Sequence, residues 1–92
     1  LRLNKGEAAY YYARGRTYAA TGTDRYAEKD MSMALDLDPT NGDVWLAKGK
    51  LASKMGNQEN ACHCFERAYR FGVHEAIDYL EKNCRGMYGG ER

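Results

Sequence analysis

One short segment of the chain carries the residue types best suited to chemistry. Cys62, His63 and Cys64 follow one another, and His74 and Cys84 lie further along. Thiolate sulfur and imidazole nitrogen are the usual protein ligands of zinc. A cysteine close to a histidine can also act as a nucleophile. A metal site and thiol catalysis are therefore the first two hypotheses.

The helical pattern around this segment argues against both hypotheses. In a helix, residues two apart point about 200° from each other, so Cys62 and Cys64 would diverge. Structural zinc sites space their cysteines by two to four residues, usually in a turn. We expect Cys64 to be buried as a packing residue and Cys62 and His63 to be more exposed. Acidic residues show no pair at acid–base spacing, and no glycine-rich phosphate loop occurs. The sequence therefore predicts no catalytic residue, no metal and no cofactor, and hence a protein that is not an enzyme.

Length and charge narrow the class of protein further. Ninety-two residues make one small domain. Fourteen Lys and Arg face thirteen Asp and Glu, without the basic excess of a nucleic-acid binder. No apolar run approaches the roughly 18–20 residues that cross a membrane. We therefore expect neither a nucleic-acid nor a membrane partner.

The cysteine count indicates a compartment. Three cysteines cannot all pair within one chain. An odd number favours a reducing environment, in which thiols behave as small buried apolar groups. A cytoplasmic location follows as the prediction, although the chain starts at Leu1 and an upstream signal segment could have been removed.

Identical or similar residues recur 34 positions apart, a spacing that we call the repeat offset. The matching pairs are Tyr11 with Trp45, Gly15 with Gly49, Gly22 with Gly56, Ala27 with Ala61, and Ala34 with Ala68. One offset shared by so many pairs predicts an internal repeat. Glycine in the middle of a helix costs about 0.5–1 kcal/mol relative to alanine. Gly15 and Gly49 are therefore predicted to lie where two helices approach closely.

The apolar spacing within each unit is helical, and turn residues separate the segments. The predicted helices cover residues 8–21, 24–37, 43–55, 58–71 and 74–85. Pro39 ends the second helix because proline disfavours helical geometry in the preceding residue. In the fifth helix, Ile77, Leu80 and Cys84 are predicted to share the packed side. No segment alternates like a strand, so the predicted fold class is all-α with about five helices.

The repeated positions resemble a known motif, aromatic-x2-Leu-Gly-x2-Tyr followed by Ala-x3-Phe, Ala and Pro. The first copy reads Tyr11, Arg14, Gly15, Tyr18, Ala27, Met31, Ala34 and Pro39, and the second reads Trp45, Lys48, Gly49, Ala52, Ala61, Phe65, Ala68 and Val73. On these residues the chain resembles a tetratricopeptide repeat protein. Arg14 and Lys48 replace the leucine of the motif, and we expect their stems to pack while their charges stay in water.

The resemblance implies antiparallel helix–turn–helix units stacked as a right-handed α-solenoid. The units would be residues 8–41 and 42–73, followed by a capping helix at 74–85 and a tail at 86–92. Residues 1–7 resemble the tail of a preceding repeat or form an N-terminal extension.

The resemblance also implies a function. Proteins of this family are scaffolds whose first helices line a groove for a partner peptide. The positions that would line it here are Tyr12, Arg16, Asp43, Leu46, Lys50 and Lys54, beside the smaller Ala9, Ala19, Ala20 and Ser53. Its basic side chains favour an acidic or carboxylate-bearing peptide, unless they only keep the surface soluble.

Self-association is the competing prediction. Repeats contact only their neighbours, and about three are usually needed for stability. Two units with a cap could expose an apolar end around Leu1, Leu3, Ala8 and Tyr11. Such an end would form a homodimer or dock on further repeats.

Overall fold

Five helices follow one another in the computed structural model, which describes residues 4–84. They are α1 (Lys5–Ala20), α2 (Asp24–Leu37), α3 (Gly42–Lys54), α4 (Gln58–Arg70) and α5 (Ala76–Asn83). The described residues contain no strand. Helix α1 packs against α2, α3 packs against α4, and α2 joins the two pairs through α3. The all-α prediction with stacked helix pairs is confirmed. The predicted tail at 86–92, Leu1 and Leu3 lie outside the described residues.

Helix α1 begins one turn earlier than predicted. The side chain of Asn4 accepts a hydrogen bond of 3.0 Å from the backbone N–H of Glu7, which satisfies one of the free donors at a helix start. Helix α3 has its equivalent cap at Asn41, after the turn that Pro39 introduces. One repeat offset before Pro39 the chain has Lys5 instead of a proline, and Lys5 is already helical. Residues 5–7, predicted to belong to the tail of a preceding repeat or to an N-terminal extension, are the first turn of α1.

The turns inside the two helix pairs have the same geometry. Gly22 and Gly56 adopt φ values of +81° and +87°, a left-handed conformation that glycine adopts without steric cost. Thr23 N–H donates to Tyr18 O at 2.9 Å, and Asn57 N–H donates to the equivalent carbonyl at the same distance. This pattern is the Schellman motif that ends many helices. The repeat offset is therefore present in the hydrogen bonds as well as in the sequence.

The two mid-helix glycines lie at close helix contacts, as predicted. A Cβ on Gly15 would lie 3.2 Å from Met31 Cγ. A Cβ on Gly49 would lie only 2.7 Å from two ring carbons of Phe65. Met31 and Phe65 are themselves separated by the repeat offset, so both helix pairs close around equivalent positions.

Buried residues form two clusters that meet at α3. The first contains Ala27, Met31, Ala34, Leu35, Val44 and Leu51. The second contains Leu46, Ala52, Ala61, Cys62, Phe65, Ala68, Ala76 and Cys84. Trp45 is half-buried against both clusters, and its Nε1–H donates to Pro39 O at 2.8 Å. The core therefore runs continuously from the first helix pair to α5.

Helix α5 is shorter than predicted and is rotated about its axis relative to the prediction. It covers Ala76–Asn83 rather than 74–85, and Ile77 is 37% exposed instead of packed. Ala76 and Cys84 are buried, and Tyr79 and Leu80 pack partly against the second cluster. The first residue of α5 lies one repeat offset after the first residue of α3, and Tyr79 lies one repeat offset after Trp45. Helix α5 therefore has the register of another first helix, which explains why a different side of it faces the core.

Arg14 makes a specific ion pair rather than only packing its stem. Its Nε and terminal nitrogen donate to the two carboxylate oxygens of Asp30 at 2.7 and 2.9 Å. Asp30 is only 4% exposed, and the hydrogen bonds from Arg14 hold the pKa of this carboxyl below its ordinary value. Bidentate pairs of this kind are the strongest type of arginine contact. Asp30 was not identified from the sequence, because a lone acidic residue on a helix has no signal of its own.

The Arg14–Asp30 ion pair predicts how the free energy of unfolding depends on pH. A carboxyl whose pKa is lower in the folded state stabilises the fold above its unfolded pKa, which is about 3.9. That contribution is lost as the pH falls through the folded pKa. We expect the free energy of unfolding to fall below about pH 4, and Asp30→Asn to flatten this acid limb and lower stability at neutral pH. Urea unfolding at a series of pH values from strongly acidic to neutral measures both effects. Asp36→Asn, at an exposed position of the same helix, is the control and should leave the limb unchanged.

Candidate partner-binding groove

A shallow, open pocket of about 380 Å³ lies between α1 and α3. Its lining consists of Arg16, Ala19, Ala20, Met31, Ala47, Lys50, Leu51 and Lys54. The alanines come from the facing sides of the two first helices, and Met31 and Leu51 belong to the first core cluster. Small side chains leave the pocket open, while the three cationic side chains are exposed around it. The arrangement combines an apolar floor with a basic rim.

The structure brings three of the six predicted groove residues together. Arg16, Lys50 and Lys54 all line the pocket. Tyr12 lies one turn from Arg16 on α1, and the guanidinium carbon of Arg16 is 5.5 Å from the centre of its ring. Asp43 is exposed in the first turn of α3, where its N–H donates to Asn41 Oδ1 at 3.1 Å. It does not line the pocket.

Leu46 was predicted as an apolar contact for the partner, and this is wrong. It is 7% exposed and belongs to the second core cluster. Ala76 of α5 is buried in the same cluster, and Tyr79 and Leu80 pack against it. Ser53 is half-buried, with its hydroxyl 3.3 Å from Gln58 Oε1.

The three cations differ in what they already contact. Lys54 Nζ lies 3.3 Å from Asp24 Oδ1. Lys50 Nζ lies 5.4 Å from the centre of the Tyr79 ring. Among residues 4–84, Arg16 and Lys50 form no ion pair. Because a ring face attracts a cation without occupying all its N–H donors, Arg16 and Lys50 can still bind a carboxylate.

Residues 42–71 match the family model of the tetratricopeptide repeat. This span begins with the first residue of α3 and ends just after α4, so it is one complete helix pair. This match and the stacked helix pairs fit a helical repeat protein of the tetratricopeptide type. No curated protein matches the chain. Within residues 4–84, no helix has the length and apolar character needed to cross a membrane.

Repeats of the tetratricopeptide type generally mediate protein–protein interaction and serve as non-enzymatic scaffolds. The pocket lies where the first helices of the two helix pairs, α1 and α3, face each other. Sequence reasoning missed two residues around it. Tyr79 belongs to α5, and its only signal was the repeat offset from Trp45. Asp24 belongs to a second helix, which the family pattern does not place in a groove.

The cysteines of this repeat protein differ from the prediction. Cys62 and Cys84 form a disulfide with their Cα atoms 5.7 Å apart, and Cys62 is fully buried rather than exposed. The interpretation of all three residues as unpaired thiols is therefore wrong. Cys64 is free and buried, as predicted, and burial raises the pKa of its thiol. No group of three His, Cys, Asp or Glu side chains in the described part of the chain could hold a metal ion.

Proposed function

We propose that the pocket between α1 and α3 binds an acidic segment of a partner protein, and that the chain acts as a non-enzymatic interaction scaffold. The observation that carries this proposal is the convergence of Arg16, Lys50 and Lys54 on an apolar floor. A volume of about 380 Å³ is at the low end of ligand pockets, which span roughly 300–1,000 Å³. The pocket therefore suits one or two apolar side chains, with acidic residues on either side.

The cations favour carboxylates for a physical reason. Arg16 presents a planar fork of donors that matches a carboxylate, and Lys50 adds a compact charge. Lys54 already pairs with Asp24, but both side chains are partly exposed. Because exposed pairs of this kind contribute about 0–1 kcal/mol, a carboxylate of the partner can replace Asp24 at little cost.

Charge reversal tests the proposal. The probe is a fluorescein-labelled pentapeptide with one leucine between two pairs of glutamates, and fluorescence anisotropy measures its Kd. A hydrogen bond to a charged group contributes about 1.5 kcal/mol or more, so we expect Arg16→Glu and Lys50→Glu each to weaken binding about tenfold. Lys29→Glu makes the same charge change at a position on α2 outside the pocket and should have a much smaller effect. Equal weakening by all three variants, or by none, would contradict the proposal.

Self-association remains the second candidate, and one equivalence favours it. Val44 is 1% exposed because it packs on the first helix pair, whereas Tyr10, one repeat offset earlier, is 56% exposed. The face of α1 that corresponds to the packing face of α3 is thus uncovered in the described part of the chain. Light scattering over a range of concentrations tests this candidate. Mass that rises with concentration and is reduced by Tyr10→Glu supports it, and a constant monomer mass contradicts it.

A cytoplasmic location stays a prediction. The prediction was based on three unpaired cysteines, but Cys62 and Cys84 form a disulfide. Disulfides persist mainly in oxidising compartments. Alkylation of free thiols at the moment of cell lysis, followed by mass measurement, tests it. A reduced pair is expected for a cytoplasmic protein, and a fully oxidised pair contradicts that location.

A further inference from the structure

Helix α5 connects the core of the second repeat to the rim of the groove through one side chain. The ring of Tyr79 stacks on the fully buried ring of Phe65, with 4.8 Å between centres and 18° between planes. The same tyrosine ring lies 5.4 Å from the ammonium group of Lys50. Lys50 lines the pocket, so the position of α5 determines the surroundings of one groove cation.

Helix α5 depends on tertiary contacts for its stability. It has only 8 residues, and isolated helices of that length are marginal in water. Its N-terminal end follows α4 after a short turn. Its C-terminal end is held by the Cys62–Cys84 disulfide and by a hydrogen bond of 3.2 Å from Gln58 Nε2 to Asn83 O. The disulfide is therefore the covalent attachment that keeps the far end of α5 on α4.

We propose that the Cys62–Cys84 disulfide is a redox control of the groove, acting through the position of Tyr79. In the oxidised protein, α5 is held down and Tyr79 attracts the Lys50 ammonium to the edge of the pocket. In the reduced protein, the end of α5 leaves α4 more often and Lys50 loses its aromatic neighbour. The effect on partner binding rests on the proposed function of the groove.

The redox step needs a dithiol reductant. The two thiols of the reductant become a disulfide and release two electrons and two protons. The bond between the Sγ atoms of Cys62 and Cys84 breaks, and each sulfur becomes a thiol. Both residues are at most 1% exposed, so the attacking thiolate reaches a sulfur only when α5 lifts. Reduction is therefore expected to be slower than for an exposed disulfide.

Oxidised and reduced proteins should differ in affinity in a definite direction. With Tyr79 beside it, Lys50 samples fewer conformations and loses less side-chain entropy on binding a carboxylate. Without Tyr79, the Lys50 side chain becomes ordered only when the partner binds, and the entropy that it then loses lowers the affinity. The oxidised form is therefore the tighter binder of an acidic segment.

A measurement on Lys50 tests the control without any partner. Lysines are dimethylated with ¹³C-formaldehyde, which retains their charge, and the Lys50 resonance is assigned by its absence in Lys50→Arg. In the oxidised protein, we expect the Tyr79 ring to shift this resonance away from those of other lysines, and Tyr79→Leu to remove the shift. Dithiothreitol should move the resonance in the same direction as Tyr79→Leu. It should also raise amide exchange in 76–83 by about tenfold.

Two variants separate this pair from a general effect of the reductant. Cys84→Ser should show the reduced pattern with or without dithiothreitol. Cys64→Ala removes the free buried cysteine of α4 and should keep the full response. An unchanged Lys50 resonance with unchanged exchange in 76–83, after mass measurement has shown three alkylated cysteines, would overturn the proposal.

Binding of the same leucine–glutamate pentapeptide completes the test. Reduction should weaken it about threefold or more, because the side chain of Lys50 must then be ordered when the pentapeptide binds. Equal affinity in both forms overturns the control of the groove. If the pentapeptide binds neither form, the proposed function fails, and the Lys50 resonance alone decides whether the disulfide sets the position of Tyr79.

Discussion

Replacing Phe65 with alanine is expected to lower the free energy of unfolding by about 3–5 kcal/mol. The Phe65 side chain is fully buried. Its ring lies against the backbone of α3 at Gly49 and stacks on Tyr79 of α5. Truncation would therefore leave a cavity between three helices. Small domains have a total stability of about 5–15 kcal/mol, so the variant should be close to unfolding at room temperature. Urea unfolding followed by circular dichroism measures the loss.

Phe71→Ala is the matched control for this prediction. Phe71 lies just after α4 and is 39% exposed, so the same truncation removes far less buried surface. We expect a loss of less than about 1 kcal/mol. Similar losses for the two variants would mean that Phe65 does not hold α3, α4 and α5 together.

The sequence predicted the features of the fold that depend on one helix or one turn. Gly22 and Gly56 adopt the left-handed conformation that a glycine after a helix indicates. Gly15 and Gly49 lie at close contacts because a side chain there would overlap the facing helix. The early start of α1 had a signal that was not used. Asn4 is followed three residues later by Glu7, which is the spacing of a capping box, and the side-chain amide of Asn4 donates to Glu7 Oε1 at 3.3 Å.

The sequence predicted those residues of the candidate site that lie on the same face of one helix, but not the contacts that depend on other helices. Lys50 and Lys54 lie one turn apart on α3, and both line the pocket. Leu46 lies on the same helix, but it is buried in a cluster that residues of α4 and α5 complete. Helical periodicity within α3 contains no information about that contact. The position of Tyr79 beside Lys50 has the same origin, since it depends on α5, which follows α3 only after the whole of α4.

The cysteine pair was missed for a related reason. Cys62 lies on α4, and Cys84 immediately follows α5, so their distance depends on how the two helices pack. Counting three cysteines established that one must stay unpaired, which Cys64 does. The count alone could not establish whether the other two meet. In the structure, the contact between α4 and α5 brings them together.

Reducing the Cys62–Cys84 disulfide is expected to lower the free energy of unfolding by about 3 kcal/mol. The bond joins residues 22 positions apart. A crosslink of that span limits the conformations of the unfolded chain, and its loss favours unfolding by an amount that grows slowly with the length of the closed loop. Detachment of α5 adds to the loss because the buried ring of Phe65 would then lose its stacking contact with Tyr79. Urea unfolding at neutral pH, where thiol exchange proceeds, measures the difference when it is done with and without dithiothreitol.

Variants at the same residues separate the crosslink from other effects of the reductant. The double variant Cys62→Ala with Cys84→Ala should have the stability of the reduced protein and should not respond to dithiothreitol. Cys64→Ala should keep the full difference between oxidised and reduced forms, because Cys64 is not part of the bond. An oxidised and a reduced protein of equal stability would show that the crosslink does not restrict the unfolded chain. Because detachment of α5 would also lower the stability of the reduced protein, equal stability would further mean that packing alone keeps α5 in place and that Lys50 keeps its tyrosine neighbour in either redox state.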